Sequence, residues 1–264
     1  MVPILLKIGP LTLHTYGLMV ALGILAGILI VQRQAALDGF AGKADRESLS
    51  HMAFLMILTG IAGARAFYAA THWDEFQEGW LEIFMVWRGG LTFYGGVLGA
   101  AFGFYIWNRS KPFAADWKRV ADWIAPALAF GHALGRLGCF AAGCCFGKVC
   151  EAPWAVVFSH PETLAPPGLP LHPTQIYEAL FLAALGAFLL WRLNARRARA
   201  AQPSGIVFAE YLLLYSAGRF ALEFFRWDEP RFGGLTPAQI TSIILFAIAA
   251  FARFKLFLTK PTPI

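Results

Sequence analysis

Residues 135–150, GRLGCFAAGCCFGKVC, contain all four cysteines of the chain together with one arginine. Thiols this close in sequence could bind a metal ion, exchange electrons or form a disulfide. Their spacing is C-x4-C-C-x4-C, which lacks the short C-x2-4-C pairs and the histidines of familiar zinc sites. The sequence therefore predicts no metal here. It favours a structural disulfide, for example Cys144 or Cys145 with Cys150, or free thiols packed as small apolar residues.

Arginines supply a second kind of chemistry. Arg219 and Glu223 in GRFALEFFR are spaced i, i+4, so they share one face of a helix and can pair. The pair could be purely structural. Together with Arg136 from another helix, it also predicts a phosphate site, because two guanidinium forks can hold a phosphate bidentately.

The elements that position these residues are membrane helices. Of the 264 residues 58% are hydrophobic and 14% charged, and the mean hydropathy is +0.57, which is typical of an integral membrane protein. About 20 apolar residues span the hydrocarbon core as a helix. Seven runs meet this requirement and predict an all-α protein with seven spans: Leu13 to Val31, Leu49 to Ala70, Leu91 to Trp107, Val120 to Gly135, Pro173 to Arg192, Gly205 to Phe224 and Thr236 to Phe254.

Basic residues predict the orientation of the spans. When the seven runs alternate across the membrane, one side receives 14 of the 22 Lys and Arg residues and the other side 6. Cytoplasmic loops are enriched in these residues, so we expect the N-terminus outside and the C-terminus inside. Attraction to anionic inner-leaflet lipid explains the net charge of +6, and nothing indicates nucleic-acid binding. One polytopic domain, 1–264, is expected, with outer segments 71–90 and 136–172.

The predicted topology brings most polar residues of the spans to the outer face, where ionisable groups indicate a functional site. These residues are Tyr16, Arg65, Tyr94, Arg136, His172, Gln175, Tyr177, Glu178, Arg219 and Glu223. Asp122 and Glu210 are expected at the opposite, cytoplasmic end.

Glycines accompany this polar layer. Helix packing is the expected role of Gly95 and Gly99 in the third span. The glycines of GRLGCFAAG are expected to weaken the helix there and to free backbone N–H groups for an anion. The candidate glycines at the site are Gly95, Gly96, Gly135, Gly138, Gly143 and Gly147.

Several motifs in order resemble one family. GRLGCFAAGCCFG resembles the signature of the bacterial prolipoprotein diacylglyceryl transferases. The similarity extends over most of the chain, and the other motifs that carry it are IGPLTLHTYGLMVALG, GAR, VWRGGLTFYGG, LHPTQIYEAL, and GRFALEFFR followed by LTPAQ.

The resemblance implies a multi-pass enzyme of the bacterial inner membrane whose active site faces the periplasmic leaflet. It would move the diacylglyceryl group of phosphatidylglycerol to the lipobox cysteine of a prolipoprotein, release glycerol phosphate and need no cofactor or metal. The implied catalytic residues are Arg136, Arg219, Glu223 and Tyr94. The implied substrate-binding residues are Arg136, Tyr16, Arg65, Gly95, Gly96, Gly135, Gly138, Gly143, Gly147, His172, Gln175, Tyr177 and Glu178.

The chain departs from the family pattern at several positions. Cys139, Ala142 and Cys144 stand where the signature has Asn, Asn and Glu, and Tyr94 stands where many members have histidine. A tyrosine is a poor base at neutral pH, since its ordinary pKa is about 10. Either Tyr94 only orients the lipid, or Glu223, His172 or the phosphate itself accepts the thiol proton.

Three alternatives to this reaction stay open at this point. The chain could be a family paralogue with a different substrate. It could be a membrane thiol-redox protein that uses the cluster Cys139 to Cys150 in an oxidising compartment. It could be a lipid or peptide transporter, although the inverted repeats that indicate transporters are not evident in the sequence.

Overall fold

The computed structural model describes residues 2–9, 11–77, 79–110, 115–199, 203–227 and 232–258. Glu78 of the predicted outer segment and three basic residues of the topology count, Lys111, Arg231 and Lys260, lie outside these ranges. The described residues form seven α-helices and two small two-stranded sheets, which confirms the all-α prediction. The helices are α1 Thr15–Leu37, α2 Lys43–Thr71, α3 Phe93–Arg109, α4 Trp117–Ala142, α5 Thr174–Arg199, α6 Ile206–Leu222 and α7 Pro237–Leu258. The strands are β1 Ile4–Ile8, β2 Leu11–His14, β3 Val156–Val157 and β4 Pro170–Leu171.

Five helices, α1, α2, α4, α5 and α7, are long and apolar enough to cross a membrane. Helices α3 and α6 have 17 residues each. At 1.5 Å per residue they are about 26 Å long, which is the lower end of the range for a span. The chain is therefore a multi-pass membrane protein, and its orientation stays a prediction.

Helix α4 is longer than the sequence indicates. The predicted span ends at Gly135, but the helix continues to Ala142 and also accommodates Pro126. Residues 136–142 of the predicted outer loop are therefore helical. The prediction that Gly135 and Gly138 weaken the helix and free their N–H groups is wrong, because both lie inside it.

Close packing of α1 and α4 explains the small residues along α4. A Cβ atom on Gly23 would lie 2.8 Å from the carbonyl oxygen of Gly131, and one on Gly138 would lie 3.0 Å from the Cβ atom of Met19. Glycine at these positions allows the two helices to approach closely. The small residues at these positions thus serve helix packing, and a role of Gly138 in substrate binding stays a prediction.

Tertiary contacts divide the chain into two compact units. Unit 1 comprises residues 1–38 and 118–264, and unit 2 comprises residues 39–117. The organisation as one domain stays a prediction. In unit 2, α2 and α3 pack through glycines, since a Cβ on Gly95 would lie 2.4 Å from the carbonyl oxygen of Gly63 and one on Gly99 would lie 2.1 Å from that of Thr59. The helix-packing role predicted for Gly95 and Gly99 is confirmed.

Unit 1 is held at one end by buried ion pairs. Asp122 of α4 is fully buried and lies 2.5 Å from Nη1 of Arg196 on α5. It also accepts backbone hydrogen bonds from Gly205 and Phe208 at the start of α6. One carboxylate therefore joins three helices. Glu210 makes a similar pair with Arg192.

We expect Asp122→Asn to destabilise the protein strongly, because it leaves the buried Arg196 without a counter-ion. Breaking a buried pair by removing one partner costs about 3–5 kcal/mol. The matched control is Glu47→Gln, since Glu47 pairs with Lys43 at 3.8 Å where both side chains are well exposed (68% and 91%). Thermal unfolding in detergent should show a large loss for the first variant and almost none for the second. Equal midpoints would contradict the structural role of Asp122.

Candidate active site

The first part of the site joins α4 to α5. Arg136 Nε lies 2.8 Å from Oε2 of Glu178, and Nε2 of His132 lies 3.7 Å from Oε1 of the same carboxylate. Glu178 is only 3% exposed. His132 and Arg136 are spaced i, i+4, so both face α5. The structure thus brings two predicted residues, Arg136 and Glu178, into one ion pair.

The second part lies at the end of α6. Arg219 Nη1 is 2.7 Å from Oε2 of Glu223, which confirms the predicted i, i+4 pair. The other oxygen of Glu223 accepts a hydrogen bond from the hydroxyl of Thr236 at 3.0 Å. The side-chain oxygen of Gln239 in turn accepts a hydrogen bond from the backbone N–H of Thr236. The carboxylate that holds Arg219 is therefore itself anchored to the start of α7.

His132 connects the two parts. The positive charges of both Arg136 and Arg219 act on its ring. The ring centroid of His132 lies 5.8 Å from that of Tyr215 on α6. Sequence reasoning missed His132 and Tyr215, although each stands one helical turn before a predicted arginine, and this spacing is the signal that could have found them.

A cavity of about 340 Å³ opens between α5 and α6. Glu178 and Arg219 supply its charged groups, and Tyr177 and Tyr215 contribute to its wall. The rest of the lining is apolar: Phe181, Gly218, Ala221, Leu222 and Phe225. Such a cavity suits a molecule that combines an anionic group with hydrocarbon.

Backbone pairing fixes the loop that follows α4. The N–H of Gly147 donates to the carbonyl of His172, and the N–H of Lys148 donates to the carbonyl of Phe225, both at 2.9 Å. A Cβ atom on Gly147 would lie 2.5 Å from the carbonyl oxygen of Phe225. Gly143, with φ +69°, ends the helix in the left-handed region. The loop therefore needs both glycines for its shape, and a direct role of either in substrate binding stays a prediction.

Residues of the HPTQIYE motif support the same loop. Gln175 Nε2 donates to the carbonyl of Cys144 at 2.6 Å, and Nδ1 of His172 lies 3.2 Å from the Tyr177 hydroxyl. Four residues of this motif were predicted to bind substrate. Two of them, Tyr177 and Glu178, line the cavity, and Glu178 also pairs with Arg136. Gln175 and His172 are placed to hold the loop, and their contact with substrate stays a prediction.

All four cysteines are free thiols in the structure. The sulfur atoms of Cys139, Cys144 and Cys145 lie within 4.8 Å of one another. The expected disulfide between Cys150 and Cys144 or Cys145 is therefore not formed. The sulfur of Cys139 lies beside those of Cys144 and Cys145 instead, because α4 extends past Cys139.

Hydrogen bonding among the thiols separates their acidities. Hydrogen bonds from Cys139 and Cys144, together with the positive charges of Arg226 and Arg136, hold the pKa of Cys145 below its ordinary value. Hydrogen bonds to the other two sulfurs and burial raise the pKa of Cys144.

Tyr16 belongs to the same region of unit 1. Its phenol interacts electrostatically with Arg136 and with the three clustered thiols. Its side chain is 46% exposed, so it is accessible as well as close to the ion pair. The role of Tyr16 in substrate binding stays a prediction.

The remaining predicted residues lie in unit 2. Arg65 is buried and donates to the carbonyls of Glu82, Ile83, Gly89 and Gly90. These bonds hold the irregular segment between α2 and α3. Tyr94 lies in the first turn of α3 and is 45% exposed. Gly96 follows it on the same helix, where a Cβ atom would make only ordinary contacts. Roles in binding for Arg65, Tyr94, Gly95 and Gly96 stay predictions.

A multi-pass helical protein with two arginine–carboxylate pairs beside an apolar cavity has the features of a membrane enzyme that acts on an anionic lipid. Residues 3–254 match the family model described as prolipoprotein diacylglyceryl transferase. The chain belongs to this family, and the resemblance seen in the sequence is confirmed.

Curated relatives agree with this membership. A phosphatidylglycerol–prolipoprotein diacylglyceryl transferase of Clostridium tetani is 33% identical over 253 residues, which cover 95% of this chain and 96% of that protein. Proteins of the same name from Thermosynechococcus vestitus and Geobacter sulfurreducens are 32% and 34% identical over 263 and 248 residues. These alignments cover 98% and 92% of this chain, and 94% and 90% of the two relatives.

We expect Gly147→Ala to destabilise unit 1, because the added methyl group would meet backbone and side-chain atoms at 2.5–2.7 Å. Overpacking of this kind costs about 1–3 kcal/mol. Gly135→Ala is the matched control, since a Cβ atom there meets nothing within 4 Å and alanine favours the helix. Thermal unfolding in detergent should show a lower midpoint temperature for the first variant than for the wild type. The second variant should have an equal or higher midpoint. The opposite order would contradict the loop geometry.

Proposed function

We propose that Arg136 and Arg219 bind the phosphate of phosphatidylglycerol in the reaction that defines this family. That reaction, the transfer of the diacylglyceryl group from phosphatidylglycerol to prolipoproteins, is the function of this chain. Family membership over residues 3–254 supports it. The acceptor in this proposal is the thiol of the lipobox cysteine.

One observation carries the assignment of the arginines: both pair with buried carboxylates beside a largely apolar cavity, and the charges of both act on His132. A guanidinium has five N–H donors, more than a single carboxylate contact engages. Each arginine can therefore keep its acid and also donate to a phosphate. The hydrocarbon of the lipid would lie against the apolar wall of the cavity.

The proposed reaction is a displacement at the glycerol carbon that bears the phosphate. The acceptor thiol attacks this carbon and a carbon–sulfur bond forms, while the thiol proton passes to the departing phosphate. The carbon–oxygen bond to phosphate breaks, and glycerol phosphate leaves with the bonding electron pair. Arg136 and Arg219 stabilise the negative charge that develops on the leaving group, which is most effective where water is excluded.

The two acids act mainly as counter-ions in this scheme. Glu223 is paired with Arg219 and accepts a hydrogen bond from Thr236, so each of its two oxygens already has a partner. Glu178 is buried and pairs with Arg136. We assign both acids to the positioning of the arginines.

The proposal places the site at the outer leaflet of the bacterial inner membrane. The excess of basic residues on the opposite side of the alternating spans supports this orientation. Within α4, Asp122 and Arg136 are 14 residues apart, which is about 21 Å along a helix. The site therefore lies far from the end of unit 1 where Arg192 and Arg196 pair with acids.

Arg136→Ala should lower kcat/KM for diacylglyceryl transfer by about 100- to 1,000-fold, because one donor to the developing charge is lost. The measurement uses purified protein in detergent with phosphatidylglycerol and a lipobox peptide. Mass spectrometry then quantifies the diacylglyceryl thioether on the peptide cysteine.

Two further variants serve as controls for this assay. Arg46→Ala removes an exposed arginine of α2 and should leave the rate unchanged. Arg136→Lys keeps the positive charge but lacks the bidentate guanidinium, so its kcat/KM should lie between those of the wild type and Arg136→Ala. An unchanged rate for Arg136→Ala would refute the phosphate assignment. Absence of product from the wild type, under conditions where the Clostridium tetani relative is active, would refute the function.

Glu223→Gln should lower kcat/KM by about 10- to 100-fold, since a misplaced Arg219 no longer matches the leaving group. Glutamine keeps an oxygen that can accept from Thr236, so the anchor to α7 is retained. If Glu223 only positions Arg219, the pH dependence of kcat/KM keeps its acidic limb in the variant. Loss of that limb would identify Glu223 as the proton acceptor instead.

A further inference from the structure

The cysteine trio Cys139, Cys144 and Cys145 is not used by the reaction proposed above. Cys139 is buried in the last turns of α4, and the other two follow the helix. Their three sulfur atoms converge within 4.8 Å. The fourth thiol, Cys150, is buried outside this trio and accepts a contact from the N–H of Ala152.

The separations suit an ion at the centre of the trio. Three sulfur ligands at about 2.3 Å from a metal in a trigonal plane lie about 4.0 Å from one another. The sulfurs need to approach by about 0.8 Å at most to reach this arrangement. Side-chain rotations of the two partly exposed cysteines, Cys144 and Cys145, can supply such a movement.

The backbone that carries two of the sulfurs is fixed in advance. The carbonyl of Cys144 accepts from Gln175, and the carbonyl of Cys145 accepts from the hydroxyl of Thr174 at 2.8 Å and from Nη1 of Arg226 at 3.1 Å. Cys145 itself has φ +62°, a left-handed conformation that is unusual for a residue with a side chain. Three donors thus hold the turn that directs the thiols together, and preorganisation of this kind favours binding.

The donor set selects the type of ion. Within the described residues, no histidine or carboxylate joins the three sulfurs. Thiolates are soft ligands and favour Cu(I) and other soft ions over Mg²⁺ or Ca²⁺. The charges of Arg226 and Arg136 act on this trio, so they offset the negative charge of thiolates and oppose a highly charged cation. A monovalent ion fits these surroundings better than a divalent one.

We propose that Cys139, Cys144 and Cys145 form a three-coordinate site for a soft monovalent metal ion of the Cu(I) type. A disulfide within the trio would use two sulfurs and would not explain why the third sulfur lies beside them. The proposal does not depend on the transferase reaction, because it rests only on the thiols and on the groups that hold them.

The test uses the full-length protein in detergent, reduced, then freed of reductant under anaerobic conditions. Ag⁺ serves as a monovalent probe that does not change its oxidation state, in buffer without chloride or thiols. Isothermal titration calorimetry and native mass spectrometry should show one tightly bound Ag⁺ in the wild type. The same ion should be displaced by Cu(I) and should resist an excess of Zn²⁺.

Variants identify the ligands. We expect at least about 100-fold weaker Ag⁺ binding in each of Cys139→Ala, Cys144→Ala and Cys145→Ala. Replacing residues that only support metal ligands already lowers metal affinity by about 10- to 100-fold. Cys150→Ala is the matched control, because it removes a buried thiol outside the trio and should bind like the wild type. X-ray absorption of the wild type loaded with Cu(I) should show three sulfur neighbours, and this measurement does not depend on the folding of any variant.

Several outcomes would overturn the proposal. Equal loss of binding in Cys150→Ala, or full binding after replacement of all three clustered cysteines, would place the ion elsewhere. Two sulfur neighbours in the absorption spectrum would contradict a three-coordinate site. A disulfide within the trio in protein purified without reductant would show that these thiols serve a different purpose.

Discussion

The requirement that buried charges be paired governs unit 1. Helix α4 carries an acid, Asp122, near its start and a base, Arg136, 14 residues later, and each finds a partner of opposite sign on α5. The two pairs lie at opposite ends of two antiparallel helices, so they fix the register between them. A slip of one turn would break both pairs at once and would leave four charges in apolar surroundings, at a cost of several kcal/mol for each. Apolar side chains alone would tolerate such a slip far better.

The same requirement couples the site to the scaffold. Arg219 finds its counter-ion one turn further along its own chain, and that counter-ion is tied to the start of α7 through Thr236. Arg136 depends on a partner from a different helix. The two arginines are therefore held by independent means on separate helices, and the charges of both act on His132. The proposed phosphate site gains rigidity from this arrangement, because neither arginine has to be ordered by the ligand.

Local patterns in the sequence were sufficient for part of this structure. Apolar runs predicted seven helices, and i, i+4 spacing predicted the pair of Arg219 and Glu223, because both signals depend on neighbours in the chain. The pair of Arg136 and Glu178 spans 42 positions in sequence, and no local pattern specifies it. The extension of α4 to Ala142 was missed for a related reason. Glycine lowers helix propensity locally, but close packing of α4 on α1 requires glycine at 131 and 138, and packing prevailed.

Cys139 and Cys144 stand where the family signature has an amide and an acid. The structure shows why the loop keeps its shape with thiols at these positions. Gln175, Thr174 and Arg226 hold the loop through the backbone carbonyls of Cys144 and Cys145. A carbonyl is present whatever the side chain, so the fold of this turn does not depend on an amide or a carboxylate at these positions. Positions 139, 144 and 145 can therefore carry thiols without loss of this turn, and the convergence of the three sulfurs is the observation on which the proposed metal site rests.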